Sequence, residues 1–311
     1  MSAVWNLGGL SLVKFSKRVW GEIQKDEVLG RSAQLAYYFL LALFPLLLFL
    51  TSVIGLLLGS GTGLRQALFN YLSKVLPGAA FTLVDSTMNE ISAASSGGKV
   101  AFGLLAALWA ASNGMGAITQ ALNVAYDVKE TRPWWKQRFV AISLTIFLSV
   151  LIITALVLVL YGEKLAQYIA RSYGFGIIFL DGWKIIQWPI VLGFMLVAFA
   201  LIYYIAPDLR DQKWKWITPG SIVGVVLWLA VSLGFRVYLH FFNSYSKTYG
   251  SLGAVIILML WLYLTGAAIL IGGEVNSVIE GAAGEAGEPK AKEKGDKAPN
   301  EKPDVRTAIA H

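Results

Sequence analysis

Residues 251–279 read SLGAVIILMLWLYLTGAAILIGGEVNSVI, and Glu274 is the only charged residue among them. A helix needs roughly 20 mainly apolar residues to cross the hydrocarbon core of a bilayer. The stretch exceeds that length, so we expect a transmembrane helix and not the buried helix of a soluble domain. The same criterion selects five further stretches, at 35–59, 100–126, 139–161, 185–206 and 217–241. The sequence therefore predicts an all-α, polytopic membrane protein with six transmembrane helices in one domain, 35–280.

The composition agrees with this fold class and narrows the chemistry. Of the 311 residues, 56% are hydrophobic and 14% are charged, whereas a soluble domain carries about 25% charged residues. The chain has no Cys and two His, which excludes disulfides, thiolate metal sites and Cys nucleophiles. We expect no cofactor and no metal site. The net charge of +7 is interpreted as a topology signal and not as the mark of a nucleic-acid partner.

The distribution of Lys and Arg predicts the orientation of the helices. The N-terminal segment, the loops 127–138 and 207–216 and the C-terminal tail together carry 18 of these cations, and the loops on the other side carry seven. Cytoplasmic loops of membrane proteins carry the excess of Lys and Arg. We therefore expect both termini in the cytoplasm and the protein in the cytoplasmic (inner) membrane of a bacterium.

Three segments lie outside the predicted spans. Residues 1–34 are predicted to form a cytoplasmic amphipathic helix, which lies either on the anionic leaflet or packed under the bundle. The outer loop, 60–99, is predicted to hold two interfacial helices separated by Pro77 and Gly78. The tail, 281–311, has no aromatic residue and is rich in Gly, Ala, Lys and Glu, so we expect it to be disordered.

The second transmembrane stretch carries small and polar residues at steps of three or four, which places them on one face of a helix. They are Asn113, Gly116, Gln120, Asn123 and Asp127. One interpretation is the wall of a transport pathway, because polar groups in a membrane face the bundle interior or a wet cavity. The alternative is contact between helices, where small and amide side chains pack and hydrogen-bond.

Other spans carry three further features. Arg236 and His240 lie one helical turn apart near the predicted outer end of the fifth span. They are candidate contacts for an anionic headgroup or substrate, or else a snorkelling Arg beside a His. Glu274, near the predicted inner end of the sixth span, is a candidate coupling carboxylate or ion-pair partner. Pro45 removes one helical hydrogen bond from the first span and is expected to kink it.

Four runs of the chain carry a family resemblance. They are AQLAYYFLLALFPLLLFL (33–50), ASNGMGAITQALNVAYDVKETRPWWKQR (111–138), PDLRDQKWKWITPGS (207–221) and YGSLGAVIILMLWLYLTGAAILIGGEVN (249–276). In order and spacing, over about residues 20–280, they resemble the YihY/virulence factor BrkB family of bacterial inner-membrane proteins. The resemblance implies a six-span fold in the cytoplasmic membrane. Members formerly carried the mistaken label ribonuclease BN, and one branch is linked to export of lipid A precursors. The resemblance implies no catalytic residues.

The function predicted from these features is transport of a lipid or other amphiphile in envelope biogenesis. Membrane lipids are the expected partners. The chain has no G-x-x-x-x-G-K-[ST] loop, so nucleotide hydrolysis within the chain is not expected to drive transport. A ribonuclease is rejected, because RNA hydrolysis needs a metal cage or an acid–base pair that the sequence does not offer. The alternative is a scaffold or accessory subunit that transports nothing.

Overall fold

The structure is a computed structural model that describes residues 7–58, 70, 73, 97–174, 177–209, 217–241 and 245–285. A short 3₁₀ turn at Leu7–Gly9 precedes seven helices of the described chain. They are α1 (Leu12–Lys25), α2 (Val28–Leu58), α3 (Gly97–Ala125), α4 (Trp134–Tyr173), α5 (Ile177–Ile205), α6 (Pro219–Phe241) and α7 (Tyr245–Glu285). Within these ranges the chain forms no β-strand. The all-α prediction is therefore confirmed.

Four of the helices are long and apolar enough to cross a membrane, namely those at Trp134–Tyr173, Phe179–Ile205, Pro219–Tyr238 and Val255–Glu285. The described part of α2 adds a shorter apolar helix, Val28–Leu43. The backbones of α2 and α3 contain 31 and 29 residues, so each is longer than the roughly 20 residues that a span requires. The fold is compatible with six spans, and that count stays a prediction.

The outside of the bundle is apolar, as expected of a protein that is embedded in a membrane. Large hydrophobic side chains are exposed around α4, α5 and α6, including Phe147, Val150, Ile186, Trp188, Val226 and Leu233. An apolar surface of this extent would be unfavourable in water. In a bilayer the same side chains contact lipid tails, so their exposure carries no such cost.

Helix α7 forms the centre of the bundle. It packs against α1, α2, α3 and α6. Between 266 and 283 all but two positions are buried. The core around it contains Leu35 of α2, Leu122 of α3 and Leu270 of α7, each of which is at most 1% exposed.

Helices α5, α6 and α7 meet at a contact that only glycine permits. A methyl group added at Gly272 would lie 2.6 Å from the carbonyl oxygen of Gly220, and it would also collide with the hydroxyl of Tyr203. Asn276 then fastens the start of α6, because its Oδ1 accepts a hydrogen bond of 2.8 Å from the Gly220 N–H. Its Nδ2 donates to the Thr218 hydroxyl at 3.0 Å.

Several helices extend beyond the predicted spans. Helix α2 begins at Val28 and not near 35, so 28–34 belong to it and not to the N-terminal amphipathic segment. Helix α4 continues to Tyr173, twelve residues past the predicted end at 161, and stops at Gly174 with φ 72°. Glycine adopts this left-handed conformation without the strain that a side chain would add. Helix α7 includes the first residues of the predicted tail, up to Glu285. The rest of the tail and most of the loop 60–99 lie outside the described residues.

The amphipathic N-terminal helix has two different faces. On one face Val19 and Ile23 are buried, and Arg18 forms an ion pair with Glu285 of α7. About a quarter turn around the helix from these two, Val13 and Trp20 are exposed, and so is Leu12 at the start of the helix. The sequence left two placements open, and the structure supports packing against the bundle for the first face.

Candidate functional site

A groove of about 370 Å³ lies between α2, α3 and α4. Its lining includes Tyr38, Leu41, Asn113, Gln120, Gln137 and Arg138. Leu41 is 55% exposed, and Trp134, at the start of α4, is 67% exposed. The groove therefore reaches the outer surface of the bundle, where those two side chains form part of its rim.

Pro45 adds a polar group to one wall of this groove. It lies inside α2, which is continuous across it. Proline has no N–H, so the helix cannot provide a donor for the carbonyl oxygen four residues earlier. That residue is Leu41, which lines the groove. The expected kink at Pro45 stays a prediction.

Among the residues that the structure describes, Arg138 brings the only formal charge to the lining of the groove. Its Nη1 donates a hydrogen bond of 2.7 Å to Asn113 Oδ1, and its Nη2 donates to the carbonyl oxygen of Trp109. The guanidinium also lies over the Trp109 ring, 3.7 Å from the ring centroid. Such a cation–π contact attracts the guanidinium to the face of the ring. The Trp109 ring in turn lies 6.0 Å from that of Trp134.

The predicted polar stripe of α3 divides between two environments. Asn113, Gly116 and Gln120 line the groove. Asn123, which lies one turn further along the helix, is 4% exposed. It is hydrogen-bonded to protein groups and does not belong to the lining. The stripe therefore divides into a part that lines the groove and a part that is hydrogen-bonded within the protein, and the transport pathway stays a prediction.

Asn123 belongs to a partly buried polar cluster that joins α3 to the chain after α5. Its Nδ2 donates to Glu130 Oε2 at 2.8 Å, and its Oδ1 accepts from the Asp208 N–H at 2.8 Å. Arg132 Nε donates to Glu130 Oε1 at 2.7 Å. Burial lowers the pKa of Arg132, but Glu130 and Asp208 outweigh this and hold its pKa above the ordinary value. The cluster is internally satisfied, which is what a structural contact requires.

Asp127 also lies away from the groove. Its backbone has φ 51°, and its Oδ2 lies 3.3 Å from the Lys25 ammonium. It therefore links the end of α3 to α1. Neither Asn123 nor Asp127 is among the residues that line this groove.

The remaining predicted residues lie elsewhere. Arg236 is exposed on α6, and the side chain of His240 lies outside the described residues, so their pairing stays a prediction. Glu274 is 0% exposed in the core beside α3 and interacts electrostatically with Tyr126. Neither site forms part of the groove.

The family model for virulence factor BrkB matches residues 19–297. The chain belongs to the BrkB virulence factor family. The resemblance seen in the four sequence runs is therefore confirmed.

Individual relatives also match most of the chain. It is 36% identical over 267 residues to YfkH of Bacillus subtilis, a protein named as ribonuclease-like, and the match covers 86% of this chain and 95% of YfkH. A UPF0761 membrane protein of Stenotrophomonas maltophilia is 27% identical over 274 residues, which are 85% of this chain and 60% of that protein. Another, from Idiomarina loihiensis, is 31% identical over 177 residues, 57% of this chain and 60% of the relative. No solved structure matches the chain.

The matched region contains every residue of the groove, including Arg138, which sequence reasoning missed. Arg138 was counted only as a cation near a membrane boundary. Trp134, Arg138 and Ala141 follow one another at helical spacing, so the sequence was sufficient to predict that they share one face of the helix. The contact with Trp109 joins residues 29 positions apart, and no local pattern could indicate it.

Proposed function

We propose that this BrkB family protein binds a membrane amphiphile in the groove between α2, α3 and α4 and moves it across the membrane. The observation that carries the proposal is the groove itself. Amide and hydroxyl groups of Tyr38, Asn113 and Gln120 form one part of its lining, and an exposed apolar rim forms the other. Polar groups are unfavourable in lipid unless they serve a bundle interior or a wet cavity.

The residues that line the groove suit the binding of a transported molecule better than they suit catalysis of hydrolysis. The described residues of its lining include no carboxylate and no His, so they supply no general base of the usual kind. Within the described residues, no three His, Cys, Asp or Glu side chains are grouped so as to hold a metal ion. We therefore propose that the ribonuclease-like name of YfkH does not describe the activity of this chain.

One observation favours the alternative, a scaffold that transports nothing. The cluster of Asn123, Glu130, Arg132 and Asp208 is internally hydrogen-bonded and has the character of a structural joint. A scaffold needs such joints, but it does not need a groove with a polar wall.

The test fills the groove. An added Cβ at Gly116 meets nothing within 4 Å, and the same is true of Gly193 in α5. Gly116→Leu therefore places a side chain in the groove, and Gly193→Leu is the matched change elsewhere in a span. Both variants and the wild type are reconstituted in liposomes, and transfer of fluorescent lipids of several headgroup classes is measured by quenching of the outer leaflet.

We expect the wild type and Gly193→Leu to move at least one lipid class, and Gly116→Leu to move it several-fold more slowly. Equal rates for the three proteins would exclude this groove as the path. A wild type that moves no lipid of any class would overturn transport and favour the scaffold.

A further inference from the structure

Arg138 lies in the groove without a carboxylate partner. In the part of the chain that the structure describes, none of the residues that line the groove is acidic and Arg138 forms no salt bridge. Arg132, six residues earlier, has two acidic neighbours. A charged group that is partly withdrawn from water is costly and is normally paired. An unpaired guanidinium in a groove is therefore a site for an anion from outside the chain.

The hydrogen-bonding capacity of Arg138 is only partly used. A guanidinium carries five N–H donors, and two of them bond Asn113 Oδ1 and the Trp109 carbonyl oxygen. The Nε atom is buried and finds no acceptor among the described residues. The contacts with Asn113 and Trp109 fix the plane of the guanidinium, so the remaining donors have a defined direction.

The rest of the lining suits an oxyanion that carries apolar chains. Gln120 is exposed, and its amide can donate a further hydrogen bond to an oxygen of the ligand. Leu41, Ala110 and Ala117 form an apolar wall, and Trp134 lies at the rim, where amphipathic rings accompany lipid headgroups. Inorganic phosphate would use the donors but not this wall.

We propose that Arg138 binds the phosphate group of a membrane lipid, with its acyl chains leaving the groove past Leu41 and Trp134. Arg and phosphate form short, charge-assisted and often bidentate hydrogen bonds. The proposal rests on the proposed function, because it names the headgroup class of the amphiphile that this groove would take.

The test measures binding apart from transport. Full-length protein in detergent is titrated with phosphatidic acid, with a neutral diacylglycerol of the same chains and with inorganic phosphate, and complexes are counted by native mass spectrometry. Arg138→Gln removes the charge. Arg171→Gln makes the same change at an exposed Arg on the same helix and serves as the matched control.

We expect the wild type and Arg171→Gln to bind phosphatidic acid selectively, and Arg138→Gln to bind it about tenfold more weakly, because hydrogen bonds to charged groups are the strong ones. If Arg138→Gln fails to fold, as judged by its elution and helicity, Asn113→Asp replaces it. That change keeps Arg138 and places a carboxylate against it, so it should weaken phosphate binding to a similar degree.

The outcomes separate this inference from the proposed function. Selective binding that depends on Arg138, in a protein that moves no lipid, supports the site and overturns transport. Transport that is indifferent to Arg138→Gln, without selective binding, overturns the site and leaves transport standing. Binding of inorganic phosphate as tightly as of the lipid would overturn the assignment to a lipid, and loss of binding in Arg236→Gln alone would move the site to α6.

Discussion

Arg132 and Arg138 show how neighbouring residues of one type serve different purposes. Arg132 donates to Glu130 and to the carbonyl oxygen of Ala206 at 2.8 Å, so its charge is neutralised within the protein. Arg138 contacts the Trp109 ring and donates to two uncharged oxygens, those of the Asn113 amide and the Trp109 carbonyl. The first arrangement holds the chain together, whereas the second leaves charge available to a ligand.

The same contrast predicts the cost of removing each amide of α3. Asn123→Ala deletes the bonds to Glu130 and to the Asp208 N–H, so both partly buried partners lose a hydrogen bond. We expect a loss of about 1–3 kcal/mol in the free energy of unfolding, measured by thermal or chemical unfolding in detergent. Gln120→Ala, the control, removes an exposed amide and should change stability by less than about 0.5 kcal/mol. Equal losses in the two variants would contradict the division of the stripe.

Glu274 provides a second prediction at this scale. Glu274→Gln keeps the shape of the side chain but cannot gain or lose a proton. If this carboxylate couples transport to protons, the variant should fold and still move lipid, but its rate should no longer respond to a pH gradient across the liposome. Glu285→Gln, on the exposed end of the same helix, is the control and should respond as the wild type does. An unchanged response in Glu274→Gln would remove the residue from any coupling role.

At the scale of the element, α1 combines a buried apolar stripe with an exposed apolar edge about a quarter turn around the helix. The face with Val19 and Ile23 packs on the bundle, and Arg18 binds Glu285 of α7, a contact that raises the pKa of Arg18. About a quarter turn around the helix Val13 and Trp20 are exposed, and Lys14 and Lys17 lie near them in sequence. Such a face is typical of a helix lying on an anionic leaflet.

The chain contains no Cys, so this placement can be tested with single cysteines. Val13→Cys and Lys14→Cys are neighbours whose side chains diverge by about 100° around the helix. Each is labelled with an environment-sensitive fluorophore and placed in anionic liposomes. We expect a blue-shifted emission that lipid-borne quenchers reduce at position 13, and a water-like emission at position 14. Water-like emission at both positions would show that this face of α1 does not lie in lipid.

At the scale of the whole molecule, the orientation is the prediction with the widest consequences, because it decides to which leaflet the groove opens. Ser11→Cys lies in the segment predicted to be cytoplasmic, and Ser73→Cys lies in the loop predicted to face outward. A membrane-impermeant maleimide added to intact spheroplasts should label position 73 at once and position 11 only after permeabilisation. The reverse pattern would invert the topology.

The fold class was predictable because a bilayer imposes a simple requirement on length and polarity. The ends of the helices were harder to predict. The apolar run used to predict the third span ends where α4 becomes amphipathic, but the helix continues to Tyr173 and is terminated by Gly174 in the left-handed conformation. Part of the groove was also predictable from the sequence. Asn113, Gly116 and Gln120 share a face by local spacing, whereas Arg138 reaches them only through the packing of α3 against α4.

The crossing of α6 and α7 at Gly220 and Gly272 bears on how this protein can evolve. Residues on the lipid-facing perimeter can exchange one apolar side chain for another with little effect, since a fluid surrounds them. At the crossing, even a methyl group would force the two helices apart and displace Tyr203 with them. Apolar substitutions should therefore be tolerated around the circumference, whereas Gly220 and Gly272 should tolerate no larger residue.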